Sequence, residues 1–361
     1  MFHQRKNKFK YLYYFLIIIY LVLLDVCLTN IYKYGKNYLI GDLRINHPNF
    51  HHTLRLNAEG GGFISEKYYT NSLGFRDFLI RDIEKIKNNK KRILLMGDSS
   101  TMGLFNEYED SYAGKITKHF EKKNIEVLNA SVTSYSPIIY FKKLEHLIKK
   151  EKLEFNNLFL FIDISDTFDD VYRYRLNNLG DVIDPKTTFD NTNYVDDVKK
   201  LIINHSTFFF FILDTVNDIF YPDSDNSFFA INHQNNLWNI DDDVFNEYGK
   251  KGLKLNILYI NKIKTLLESK NIDLKIIIYP WPGTIYYYDK KTPYEKNWED
   301  WSQQNDVQIY NFVNHFDYVK NLSKQDRLTI IDKYYHKLDM HFNAAGSDLF
   351  FKSIIGFLEE N

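Results

Sequence analysis

The stretch Arg92–Ser100, RILLMGDSS, decides how the chain is read. Ile93, Leu94, Leu95 and Met96 form an apolar run that stops at Gly97, and an acid and two serines follow. A short apolar run without alternation predicts a strand buried on both faces, as in a parallel sheet. Gly97 permits a tight turn and leaves room above it. A strand-to-helix turn exposes its first side chain and sets backbone N–H groups beside it. Ser99 is therefore a candidate nucleophile, with Ser100 as its neighbour. The same GDSS would equally serve as a helix N-cap, where aspartate and serine are preferred.

Outward from this turn, strand and helix patterns alternate. Asp110–Lys123 places Tyr112, Ile116 and Phe120 at helical spacing, and Ile125–Ser131 reads as a second strand. Pro137 opens a helix with Ile138, Phe141, Leu144 and Ile148 on one face. Asn156–Ser165 reads as a third strand. A long helix then carries Leu253, Ile257, Ile260, Ile263 and Leu267, and Ile272–Gly283 is a fourth strand, closed by Pro280 and Pro282. Asn343 caps a last helix. This alternation predicts an α/β fold, a three-layer α/β/α sandwich around a parallel sheet over residues 86–361. In such sheets the site lies beyond the carboxyl ends of the strands. Those ends are Gly97–Ser99, Ala130–Ser131, Ser165–Asp166 and Pro280–Trp281. Trp281 is there either a packed aromatic or a substrate platform.

Residues 167–250 break the alternation and read as an insertion. Its apolar stretch from Phe208 to Leu213 is too short to span a bilayer and reads as a cap helix, or as a membrane-surface or acyl-chain contact. Residues 32–85 form an N-terminal extension with little periodicity. In it YYTNSLGFRD, Tyr68–Asp77, is rich in turn formers and reads as a turn feeding the first core strand; Arg76 would be a clamp or an anion contact near the site.

The composition, 44% hydrophobic and 26% charged over 361 residues, is that of a globular protein with a sizeable core. A net charge of -1 gives no ground for a nucleic-acid partner. The one cysteine, Cys27, excludes an internal disulfide. Residues 1–10 are a short basic tail, and residues 11–31 an apolar segment long enough to span a bilayer, interrupted only by Asp25. No small-residue cleavage pattern follows it, and Asp25 and Val26 before Cys27 are poor lipobox residues. The reading is an uncleaved single-pass anchor, with a cleaved signal as the alternative. Arg5, Lys6, Lys8 and Lys10 should stay in the cytoplasm, which places the rest of the chain outside.

A serine nucleophile needs a base, usually histidine held by an acid, and N–H groups for the oxyanion. Of 11 histidines, His341 stands out, with Asp339 two residues before it and directly ahead of the final helix. In an extended segment those two side chains point the same way. Asp339 could orient the imidazole, or both could join His336 around a metal ion.

With Gly97-Asp98-Ser99 at one end and Asp339-Met340-His341, Asn343 and Gly346 at the other, the chain resembles the SGNH (GDSL-type) hydrolase superfamily over roughly residues 68–360. It is most similar to the membrane-anchored bacterial branch, which includes envelope esterases and polysaccharide O-acyltransferases and shares the NSLGFRD-like and PWP-like segments. The resemblance implies Ser99 as nucleophile, His341 as general base and Asp339 as its orienting acid, with no cofactor. It implies an acylated carbohydrate or other small ester as substrate, and a location at the bacterial inner membrane with the domain outside. It leaves three classes: esterase, O-acyltransferase on an envelope glycan, and non-catalytic binding protein. Two positions depart from the family pattern. Ser131 stands for the glycine whose N–H joins that of Ser99 in the oxyanion hole, a role that a backbone group can keep. Asp166 stands for the asparagine whose amide donates to the oxyanion, and an ionised aspartate cannot donate. Trp281 and Arg76 would contact substrate.

Overall fold

The computed structural model describes residues 13–17, 19–30, 43–61, 67–185, 228–337 and 339–360. The basic tail, the Phe208–Leu213 stretch and residues 186–227 of the insertion lie outside the described residues. One helix, α1 (Tyr13–Asn30), is long and apolar enough to cross a membrane. Residues 43–187 and 226–361 form a compact unit of their own.

The unit is built on a mixed sheet of eight strands. In chain order its strands are β3 (Glu59–Gly61), β4 (Lys67–Thr70), β5 (Arg76–Asp77), β6 (Lys91–Met96), β7 (Ile125–Asn129), β8 (Asn157–Ile162), β11 (Asp273–Ile278) and β12 (Gln308–Asn311). The order across the sheet is β12-β11-β8-β6-β7-β5-β4-β3. The first five in that order run parallel and the last three are added antiparallel. The expected parallel α/β core is therefore present, and the sheet reaches back to residue 59, well before the expected boundary at 86. The three extra strands have two to four residues each, too few to show a pattern in the sequence. Two small hairpins complete the strands, β1 (Arg44–His47) with β2 (His51–Leu54), and β9 (Arg175–Leu176) with β10 (Val182–Ile183).

The crossovers place the helices. From β6 to β7 the chain passes through α3 (Tyr112–Glu121). From β7 to β8 it steps back across β6 through α4 (Pro137–Lys149). Right-handed crossovers in opposite directions put these two helices on opposite faces. The long helix α8 (Lys250–Glu268) packs on α4, and the last helix, α12 (Ala344–Glu359), packs on α3, so each face carries a helix pair. Leu158, Phe159, Leu160, Phe161 and Ile162 of β8 are buried between these layers. Each such side chain contributes about 1.5–3 kcal/mol.

Because β6 is followed on one side by β7 and on the other by β8, the connections diverge there. This opens a crevice beyond the carboxyl ends of β6 and β8, the place where open α/β sheets hold their ligands. Ser99 follows one of these strands and Asp163 the other. The insertion contributes α5 (Asp166–Tyr172), α6 (Phe228–Ile231) and α7 (Gln234–Ile240). Before α12 come α9 (Pro282–Tyr287), α10 (Pro293–Asn305), a 3-10 helix (Phe312–Asn321) and α11 (Lys324–Tyr334), none of which the sequence pattern marks.

Candidate active site

The site starts where β6 runs out. A Cβ on Gly97 would come within 2.2 Å of Thr101 Oγ1 and 3.0 Å of the Phe161 carbonyl oxygen, so only glycine lets the chain pass there. Asp98 then caps α2 (Ser99–Met102), its Oδ1 accepting the Ser100 N–H at 2.9 Å. The N-cap reading of GDSS is met by Asp98, and the Ser99 side chain at the first turn of the helix stays partly exposed. Among the described residues no acceptor takes the Ser99 N–H.

Ser99 Oγ lies 2.7 Å from His341 Nε2. His341 Nδ1 pairs with Asp339 Oδ1, which also accepts the His341 backbone N–H at 2.9 Å. The segment is held on both sides. Asn343 accepts the Gly346 N–H with its side-chain oxygen and donates to the Lys333 and Tyr335 carbonyls. Gly346 has no room for a Cβ, which would sit 2.0 Å from the Tyr334 carbonyl oxygen. Phe105, at φ 64, places its ring edge-on to His341 with centroids 5.5 Å apart. A serine, a histidine and an acid from chain positions 242 residues apart thus form one hydrogen-bonded row. Among the described residues no group of three or more His, Cys, Asp or Glu side chains could hold a metal ion.

Charge shapes this row. Burial pulls His341 down, but the Asp339 carboxylate, with help from Asp98 and Asp163, outweighs it and raises the imidazole above its ordinary 6.5. Burial pushes Asp339 up, but His341 beside it leaves the carboxyl below its usual range. Burial first, and Asp163 second, push Asp98 up to about 8. Its Oδ2 is 3.1 Å from Ser99 Oγ. A base must be neutral to take a proton, so activity should fall with pH below a midpoint that lies above 6.5. Asp339→Asn should move that midpoint down and cost roughly 10⁴ in rate. A pH–rate profile of the two proteins checks both; a midpoint that stays put would sever Asp339 from His341. The stability linkage has the opposite sense. A raised histidine contributes stability fully present below 6.5 and lost as pH rises through its folded value.

The other expected site residues are placed differently. Ser131 is the second residue of the loop leaving β7, 0% exposed, and its N–H is directed to Asn129 Oδ1 at 3.1 Å. Asn129 in turn donates to the Thr101 carbonyl, tying this loop to α2. Asp166 is also 0% exposed and does not face the crevice. Its Oδ2 accepts the Asp163 N–H at 3.2 Å and its Oδ1 the Tyr140 hydroxyl at 3.1 Å, inside the start of α5. The acid at the crevice is Asp163, because β8 ends at Ile162, three residues before the expected end. Arg76, 1% exposed, is a clamp and contacts no open space: it donates to the Met102, Gly103 and Asn106 carbonyls and stacks on Tyr68. It fixes the loop leaving α2. Trp281 is packed; its indole N–H donates to Asp163 Oδ2 at 3.0 Å.

Two residues escaped the sequence reading. Asp163 accepts from Tyr279 and Trp281 on one oxygen and from the Ser165 N–H and hydroxyl on the other. Its signal was its place as the first polar residue after the apolar run of β8. His233 comes from the insertion. Its Nδ1 accepts the Asn235 N–H, which leaves the ring proton on Nε2, and its ring meets Trp281 edge-on at 5.4 Å. It lies near enough to Asp339, Asp163 and His341 to feel their charges. Nothing in the irregular sequence around it pointed to the site.

No protein-family model and no curated protein matches the chain. Among solved structures, the psychrotrophic esterase EstA from Pseudoalteromonas sp. is 12% identical, with a TM-score of 0.39 over 75% of this chain and 100% of its own. A GDSL-like lipase from Bacteroides thetaiotaomicron is 10% identical, with a TM-score of 0.37 over 77% of this chain and 92% of its own. The acetyl xylan esterase AlAXEase is 12% identical, with a TM-score of 0.39 over 74% of this chain and 99% of its own. Likenesses at these scores carry no argument about chemistry, which rests on the geometry above.

Proposed function

We propose that the chain is a serine-dependent carboxylic ester hydrolase of the SGNH type, tethered to a membrane by α1 and acting outside on acylated saccharides of the cell envelope. The observation that carries the reading is the 2.7 Å contact between Ser99 Oγ and His341 Nε2, with Asp339 on the opposite ring nitrogen. Neutral His341 takes the Ser99 proton as Oγ attacks the ester carbonyl. The Ser99 N–H holds the oxyanion. The Ser131 N–H joins it by exchanging Asn129 Oδ1 for the oxyanion. His341 then gives its proton to the leaving alcohol, and acyl-serine remains. Water repeats the attack, and its proton passes through His341 to restore Ser99.

The apolar helix and the basic residues ahead of it support an envelope location. A sugar hydroxyl in place of the second water would make the same acyl-serine serve an O-acyltransferase. The two are separated by incubating the protein with an aryl acetate and an acetyl-accepting oligosaccharide. Free acetate in proportion to alcohol released is the expected result. Acetylated oligosaccharide with little free acetate would assign transfer, and no turnover of any ester with no covalent acyl-serine would assign a binding role.

A further inference from the structure

Away from Ser99, the ends of α7, α9 and α11 enclose a cavity of about 450 Å³ whose wall includes Trp238, Thr284, Tyr287, Asp289, Lys324 and Arg327. Arg327 is 7% exposed. Its Nη1 donates to the Tyr286 and Tyr288 carbonyls, both at 2.9 Å. Its Nε has no partner. Lys324 donates to the same Tyr286 carbonyl at 2.7 Å and lies over the Tyr286 and Tyr287 rings, 4.2 and 4.6 Å from their centroids. Among the described residues neither cation is in an ion pair. A buried guanidinium outside any ion pair is costly, and two cations sharing one carbonyl add mutual repulsion, which Asp289 offsets in part at Lys324. Burial, and after it Arg327, lower Lys324.

We propose that this cavity binds the carboxylate of a hydroxylated small molecule, a sugar acid, with the Arg327 Nε–Nη2 edge and Lys324 as its anchor. The edge offers two coplanar N–H groups at the spacing of two carboxylate oxygens, the fork geometry that arginine uses for planar oxyanions. Phosphate has the same edge, but the wall argues against it. Asp241, Asp242 and Asp289 equal Lys290, Lys324 and Arg327 in number, so the wall has no net charge and disfavours a dianion more than a monoanion. The same aspartates accept hydroxyl protons, and the Tyr287 ring, 37% exposed, offers a face to a sugar. Trp238 links the wall to the other site by donating its indole N–H to the Ile164 carbonyl, next to Asp163. The inference does not rest on ester chemistry.

Calorimetric titration of the full chain in detergent with sodium glucuronate, glucose and sodium phosphate at matched ionic strength tests it. Glucuronate should bind, and glucose and phosphate should bind at least tenfold more weakly. Lys324→Met and Arg327→Gln should each weaken glucuronate at least tenfold, and Ser99→Ala should leave it unchanged. Arg327 also holds two carbonyls, so if Arg327→Gln does not fold, the exposed Lys324 decides alone. No glucuronate binding, equal binding of glucose or phosphate, binding untouched by Lys324→Met, or loss in Ser99→Ala would each overturn the assignment.

Discussion

Ser99→Ala should lower the rate of aryl acetate hydrolysis by roughly 10⁶ and remove all labelling by a fluorophosphonate probe, with the fold intact. The fold survives because the turn is made by Gly97 and the Asp98 cap, which use neither the Ser99 hydroxyl nor its Cβ environment. His341→Ala should cost about as much as Ser99→Ala, and the double variant no more than either, because a nucleophile and its base act as a unit. Chelators should leave the wild-type rate unchanged. Peptide mapping of the labelled wild type should place the adduct on Ser99. An adduct on Ser100, or losses that multiply in the double variant, would dismantle the Ser99–His341 assignment.

What the sequence revealed and what it hid divide along physical lines. The turn at Gly97 was legible because β6 is buried on both faces, so its apolar run ends abruptly where the chain leaves the sheet. Asp339 and His341 were legible because an acid and an imidazole two residues apart precede a capped helix, and the Asn343 cap is what fixes their loop. The third strand end was misplaced because Ile164 continues the apolar run past Asp163, and hydropathy alone cannot see that β8 stops at Ile162. For Arg76 the sequence left a clamp and a substrate or anion contact both open; three backbone carbonyls and the Tyr68 ring bury it as the clamp. His233 lies where no period of 2 or 3.6 residues exists to place it.

The misplaced acid yields the sharpest contrast. Asp166→Asn should be nearly silent, with activity within about threefold of wild type and little change in Tm. Burial, followed by Asp163 and Asp98, holds the Asp166 carboxyl well above its usual range. An amide can keep both contacts: its oxygen accepts the Asp163 N–H, and its NH₂ faces the Tyr140 hydroxyl, a rotor that can turn from donating to accepting. Asp163→Asn is the same chemical change three residues earlier, and it should do serious damage. Asp163 receives donors on both oxygens, and two of them, the Trp281 indole and the Ser165 backbone, are N–H groups that cannot reverse. Whichever way an amide is turned, its NH₂ faces one of them. One buried donor left against another costs on the order of 2–3 kcal/mol, several degrees of Tm. The lost charge also stops raising His341, so the acid limb of the pH–rate profile should move down as the rate falls at least tenfold. Thermal melts and pH–rate profiles of both variants decide the matter. A gain or large loss of activity in Asp166→Asn, beside an unaffected Asp163→Asn, would return Asp166 to the crevice and remove Asp163 from it.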